Sequence, residues 1–274
     1  MATMRKTNDP VSIAYEMQGS GPLVVFLHGI GGNRTNWYEQ LAHFSDRFCA
    51  VAWDARGYGA SDDSPQTLRF SDYADDLVRL LDHLQAERAH FVGLSMGGMI
   101  LQDFYNRYAH RVATLALVDT SAGFGAASEA EKRDFLSRRL DPLERGLTPK
   151  DIAPGVVQVL ASKYASVAAR EQLTASLSAL RVEPYKQALH AIVTTDFRST
   201  LSKITTPTLV IVGDDDIVTP PAASEFLVKH ISSSSLVRIP QAGHLTNIEK
   251  PAEFHAALRP FLEQHAQRAS VVAE

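Results

Sequence analysis

A mostly parallel α/β sheet flanked by helices, with a helical cap inserted late in the chain, is the fold this 274-residue sequence predicts. Three observations predict it. Short apolar runs without polar alternation, such as residues 22–27, 48–53 and 208–212, recur between helix-like segments, as expected of strands buried on both faces. Strand-like runs then vanish between about residues 121 and 199. Finally, Gly93-Leu94-Ser95-Met96-Gly97 joins a strand-like run to a helix-like one, which is the pattern of a sharp strand-to-helix turn.

Taken in order, residues 11–17 alternate in polarity and predict an antiparallel edge strand. Residues 22–27 read as a buried strand, 36–46 as a helix and 48–53 as a second buried strand. A helix over 71–85 places Leu77, Leu80, Leu81 and Leu84 at helical spacing, with Ser71 as its N-cap. A strand to Leu94, a helix from the serine turn to Tyr108 and a strand over 114–118 follow. The stretch 121–199 reads as helices broken by Pro142, Pro149, Pro154 and Pro184, and it carries Arg133, Arg138, Arg139 and Arg145. Strands resume at 208–212 and 236–240. The expected organisation is therefore a core of residues 1–120 and 200–274 with a cap of 121–199.

Hydrophobic content of 45% and charged content of 21% are ordinary for a globular protein, and the length suffices for a full core. A formal charge of −4 gives no electrostatic footprint for nucleic acid or anionic lipid. Basic residues near the start are not followed by an apolar signal region, and no apolar run approaches the roughly 20 residues of a membrane span. The expectation is a cytoplasmic enzyme without nucleic-acid or membrane partners. The lone cysteine, Cys49, lies in an apolar strand run and reads as a buried core residue.

The chemistry gathers just past predicted strands. Ser95 in its glycine turn is a candidate nucleophile, which needs a base within hydrogen-bond reach. His244, after the run Leu236-Val237-Arg238-Ile239-Pro240, has the intrinsic basicity for that task. Asp216, in Gly213-Asp214-Asp215-Asp216, would orient the imidazole and stabilise its cation. Asp119 also ends a strand and stays open as the alternative acid; Asp216 fits better, three residues after Gly213 and four before Pro220. The backbone N–H groups of Ile30 and Met96 are the expected oxyanion donors. His28 directly follows a strand and would brace the oxyanion loop. Gly29-Ile30-Gly31-Gly32-Asn33-Arg34 starts like a dinucleotide fingerprint but has Arg34 at its sixth position, and no ligand spacing marks the aspartates as a metal site. No cofactor or metal is expected.

The order Ser95, Asp216, His244, together with Asp54-Ala55-Arg56-Gly57-Tyr58-Gly59-Ala60-Ser61, resembles the α/β-hydrolase superfamily. Gly93-Leu94-Ser95-Met96-Gly97-Gly98 and His244-Leu245-Thr246-Asn247-Ile248-Glu249 are similar to the 3-oxoadipate enol-lactonases, and Gly-x-Ser-Met-Gly is shared with haloperoxidase-like esterases, the perhydrolases. The resemblance implies a serine hydrolase of a small ester or lactone, working through an acyl-enzyme on Ser95. His28-Gly29 departs from the lactonases, which often lack that pair. Some relatives place the acid where Asp119 stands. Ser95 at the turn excludes dehalogenases and epoxide hydrolases, which carry aspartate there. Carbon–carbon hydrolases of ring-cleavage products are the runner-up, although their asparagine and tryptophan positions hold Leu94 and Leu245. A slow-turnover receptor on the same fold is the reading from another class. The acyl group, leaving group and oligomeric state are left open.

Overall fold

The structure is a computed structural model that describes residues 3–273. Its elements in chain order begin with β1 (Thr3–Lys6), β2 (Ala14–Gln18), β3 (Gly21–Leu27), α1 (Tyr38–Phe44), β4 (Cys49–Trp53), α2 (Ser71–His83), β5 (Ala89–Leu94), α3 (Met96–Tyr108) and β6 (Val112–Val118). Four helices follow without an intervening strand: α4 (Glu129–Glu144), α5 (Pro149–Leu160), α6 (Val167–Ser178) and α7 (Val182–Ile192). The chain then returns through β7 (Thr208–Gly213), α8 (Pro221–His230), β8 (Ser234–Ile239), α9 (Thr246–Glu249), α10 (Pro251–Gln264) and β9 (Val271–Val272).

The sheet runs β1-β2-β4-β3-β5-β6-β7-β8. Every neighbouring pair from β4 through β8 is parallel, while β1–β2 and β2–β4 are antiparallel. The antiparallel strand foreseen near residue 11 is β2, but it is not the edge. That place belongs to β1, whose four residues are all exposed and therefore carry no burial signature. The short β9 pairs antiparallel with the start of β3.

Period-two side-chain alternation fills both faces of the sheet. On one face Val25, Leu27, Val51, Trp53, Phe91 and Leu117 pack with Leu77 and Leu80 of α2 and Phe104 of α3. On the other, Val24, Phe26, Ala50, Val92 and Val118 pack with Leu41 and Phe44 of α1 and Phe254 and Leu258 of α10. Cys49 is fully buried in the first of these cores. A smaller cluster of Leu140, Leu143, Tyr185 and Leu189 joins α4 to α7.

Two local expectations are corrected. Ser71 is the first residue of α2 and not its cap; Phe70 stands at the cap position without a side-chain bond, and the Asp72 carboxylate accepts the Arg69 N–H instead. The prolines divide by position. Pro149 opens α5 and Pro184 lies in the first turn of α7, where a missing N–H is harmless, yet Pro142 and Pro154 sit inside α4 and α5. Pro142 is tolerated two residues before the end of α4, and Pro154 in the sixth position of α5. Among the described residues no helix is long and apolar enough to cross a membrane.

Candidate active site

The turn between β5 and α3 sets Ser95 at φ 52° and ψ −113°, a strained conformation for a residue with a side chain. The surrounding glycines permit it. A Cβ on Gly93 would lie 2.5 Å from the Gly97 carbonyl, and one on Gly97 would lie 2.5 Å from the Leu27 carbonyl oxygen. The turn is held by its own backbone, since Ser95 N–H donates to Val118 O at 2.9 Å and Thr120 Oγ1 donates to Ser95 O at 2.7 Å.

The structure brings Ser95, Asp216 and His244 together at the carboxyl ends of β5, β7 and β8. Ser95 Oγ lies 3.0 Å from His244 Nε2, and His244 Nδ1 lies 2.9 Å from Asp216 Oδ2. This arrangement assigns the proton to Nδ1 and leaves Nε2 to accept from the serine. Asp216 is further fixed by the N–H groups of Val218 (2.8 Å) and Thr219 (3.0 Å) on Oδ1, and by Thr219 Oγ1 (2.8 Å) on Oδ2. The neighbouring Asp214 instead pairs with Arg238 at 2.6 Å, and the Asp215 N–H donates to Ala242 O.

Electrostatics follow from this geometry. Burial favours neutral His244, but the Asp216 charge and hydrogen bond, with help from Asp119, outweigh it and raise the imidazole above its ordinary value. Burial likewise opposes an ionised Asp216, yet the histidine and the Thr219 donors hold its carboxyl below the usual range. Asp119 does not touch His244 Nδ1. It accepts from Gly213 N–H at 3.0 Å and from the N–H and Oγ1 of Thr246 at 3.0 and 2.8 Å.

Ile30 and Met96 line or adjoin the same space from the loop after β3 and from the first residue of α3. Neither backbone N–H meets an acceptor among the described residues. His28 is buried at the start of that loop. Its Nδ1 donates to Gly29 O at 2.8 Å, so Nε2 is free to accept the Ala55 N–H at 3.0 Å. Burial lowers its pKa and keeps it neutral in this bracing position. Arg56, from the Asp54–Ser61 stretch, makes a bidentate bridge to buried Asp76 at 2.6 and 2.7 Å.

A cavity of about 660 Å³ opens over Ser95 and His244. Apolar side chains dominate it: Trp37, Met99, Phe135, Leu173, Leu177 and Leu245 come from both the sheet side and the helices α4–α6. Arg138 and Arg139 also reach it. Arg138 pairs with Asp134 at 2.9 Å, whereas Arg139 has no carboxylate partner among the described residues. The Arg139 guanidinium stacks 3.8 Å over the Phe135 ring and donates once, to Phe135 O.

Sequence reasoning missed Thr219, Thr120, the Leu160 carbonyl that accepts the His244 N–H, and the facing of Arg139. The Asp-x-x-Thr spacing of Asp216 and Thr219 was a usable signal, because such a threonine readily bonds back to the carboxylate.

This fold and site define a class. Residues 22–251 match the family model described as alpha/beta hydrolase fold, and the chain belongs to that family. It is 32% identical over 249 residues to 3-oxoadipate enol-lactonase 2 of Acinetobacter baylyi, covering 90% of this chain and 91% of that one. Among solved structures, a thermophilic esterase from Thermogutta terrifontis, with malate bound, is 29% identical with a TM-score of 0.87, covering 97% of this chain and 99% of that one. The enol-lactonase from Burkholderia xenovorans LB400 is 25% identical with a TM-score of 0.79, covering 95% of this chain and all of that one, 100%.

Proposed function

We propose that the protein is a serine hydrolase of small carboxylic esters or lactones. The observation that carries the reading is the unbroken hydrogen-bonded run from Ser95 Oγ through His244 to Asp216, at the floor of a cavity roomy enough for such a substrate. Ser95 Oγ attacks the carbonyl while His244 Nε2 takes its proton. Asp216 holds the imidazole and stabilises the cation. The Ile30 and Met96 amides receive the oxyanion, and such donors are typically worth about 3–4 kcal/mol each in the transition state. His244 then returns the proton to the leaving oxygen, and water activated by the same nitrogen releases the acid from the acyl-enzyme. In this reading residues 1–120 and 200–274 form the catalytic core and 121–199 the cap.

A lactone or ester carrying its own carboxylate is the finer form of this proposal. Support comes from Arg139, a guanidinium on the cavity wall without a carboxylate partner, and from the lactonases among the relatives. A partly desolvated cation without a counter-ion is costly, and a substrate anion would relieve it. The carbon–carbon hydrolase reading loses ground on Leu94 and Leu245.

The experiment is a turnover screen of wild type and Ser95→Ala on p-nitrophenyl acetate, butyrate and octanoate beside lactones with and without a free carboxylate. Ser95→Ala should lower kcat by about 10³-fold or more while the protein stays folded. Turnover near the common ~10 s⁻¹ supports an enzyme; a single slow event with product retained supports a receptor. Activity that survives in Ser95→Ala would sink the assignment.

A further inference from the structure

We propose that Asp119 is a positioning residue for the Asp216–His244 pair: its one buried carboxylate ties the loop carrying the acid to the loop carrying the histidine. This rests on the hydrolase reading above. Asp119 is fully buried at the end of β6. Its Oδ1 accepts the N–H of Gly213, three residues before Asp216. Its Oδ2 accepts both the N–H and the Oγ1–H of Thr246, two residues after His244. The two loops are thus referenced to one another through a third strand.

That strand end also holds the nucleophile. Val118 O receives the Ser95 N–H, and Thr120 Oγ1 binds Ser95 O. Asp119 itself stands at φ 42°, the left-handed region that a non-glycine residue occupies only when its surroundings require it. Residues 118–120 therefore touch the segments of all three proposed catalytic side chains.

A neutral isostere cannot do this work. Asparagine of the same size has one acceptor oxygen, so either Gly213 or Thr246 would face an amide donor. Burying a second carboxylate beside Asp216 is itself unfavourable: desolvation first, then the Asp216 charge, raise the Asp119 carboxyl to about 7 against the opposing His244 and Thr246 contacts. Three donors aimed at a carboxylate that burial and its neighbour both disfavour point to geometry as the return. The groups facing His244 are Ser95, Asp216, Thr219, Asp119 and, more distantly, Arg139; those facing Asp119 are Asp216, His244 and Thr246.

The test compares wild type, Asp119→Asn, Asp216→Asn and Thr246→Val, by steady-state kinetics across pH and by the rate of Ser95 labelling with a fluorophosphonate. Asp119→Asn should lower kcat and the labelling rate roughly 10- to 100-fold with KM nearly unchanged, the scale of a small misplacement of reacting groups. Where Asp119 is ionised it raises His244, so the variant should also shift the acid limb of kcat/KM to lower pH, by less than Asp216→Asn does. Thr246→Val keeps the carboxylate and two of its three donors, the Gly213 and Thr246 N–H groups, so a drop of only a few fold with an unmoved limb is expected. Wild-type rates and limb in Asp119→Asn overturn the proposal. So does a loss exceeding that of Asp216→Asn, which would make Asp119 the acid itself. Should Asp119→Asn fail to fold, the labelling rate of Thr246→Val decides, and an unchanged rate overturns the proposal. Failure of wild type to label at Ser95 would overturn the hydrolase reading instead.

Discussion

The backbone N–H of His244 donates to the carbonyl of Leu160, the last residue of α5, at 2.8 Å. The helical insertion is thus bonded directly to the loop that carries the histidine, besides roofing the cavity above it. A second link runs in parallel. Glu249 accepts the Ser162 N–H on Oε2 at 2.9 Å and the Gly243 N–H on Oε1 at 3.1 Å, so its buried carboxylate spans the same junction from the other side. Replacing Glu249 by Gln leaves one acceptor for two donors. Loss of a hydrogen bond to a charged group is worth about 1.5–3 kcal/mol. Glu249→Gln should therefore lower the melting temperature and reduce kcat together, as thermal unfolding and steady-state assays on one preparation would reveal. A stability loss without any change in kcat would show that the junction does not position His244.

The pH dependence has a definite sign. In the proposed mechanism His244 must be neutral to accept the serine proton. Asp216 and Asp119 raise its pKa above the ordinary 6.5 despite burial. The acid limb of kcat/KM should accordingly have its midpoint above 6.5, with activity falling as pH drops through that value. Asp216→Asn removes the larger of the two charges and its hydrogen bond; it should move the limb downward and cost about 10⁴-fold in kcat by releasing the imidazole to the wrong tautomer. A profile measured in a constant-ionic-strength buffer series checks both, and a wild-type midpoint below 6.5 would contradict the assigned ion pair.

Helix α3 can approach β3 only because position 97 has no side chain. A Cβ there would stand 2.5 Å from Leu27 O and 2.9 Å from Leu27 C, both backbone atoms that cannot rotate away. Gly97→Ala must displace the first turn of α3, and with it Ser95 and the Met96 amide. Overpacking of this kind costs about 1–3 kcal/mol. Differential scanning calorimetry should register a melting temperature lower by several degrees, at roughly 2–4 °C per kcal/mol for a chain of this size class. An unshifted transition would mean that the backbone at this turn is more adaptable than its packing implies.

How much of this was legible in the sequence depends on where each signal lay along the chain. Ser95, Asp216 and His244 could be read because each follows a strand run and the serine turn needs glycine at fixed offsets. The core strands were legible because burial on both faces leaves unbroken apolar runs. The strand β1 was not, since Thr3, Met4, Arg5 and Lys6 are all exposed and nothing in their pattern reports pairing. The role of Asp119 between two loops was equally hidden: Thr246 lies 127 residues further on, and only the closed sheet brings them together. Glu249 could be seen as part of a motif, but its partner Ser162 lies 87 residues earlier, at the end of a helix whose direction no periodicity fixes. Cap arginines posed a different problem. Helical arginines are mostly solvated, and Arg138–Asp134 and Arg139–Phe135 are both contacts one turn apart on α4; it is tertiary packing that turns this face of the helix to the cavity wall, which no local pattern reports.

That difference between neighbouring arginines yields a prediction about substrate choice. Arg139 lies half-buried against the cavity; burial lowers its pKa, and Tyr185 and Asp134 only partly offset this. An Arg139→Leu exchange removes the charge and keeps an apolar wall over Phe135. For substrates with a free carboxylate, KM should rise by about 10- to 100-fold, corresponding to one lost charge-assisted bond of roughly 1.5–3 kcal/mol. For uncharged esters KM should stay level or fall, because the wall beside Phe135 becomes less polar. The ratio of kcat/KM for a lactone acid and its methyl ester, measured in wild type and variant, isolates the effect from any general loss of activity. A ratio unchanged by the exchange would mean that Arg139 serves only to hold α4 against Phe135 and that substrate anions bind elsewhere or not at all.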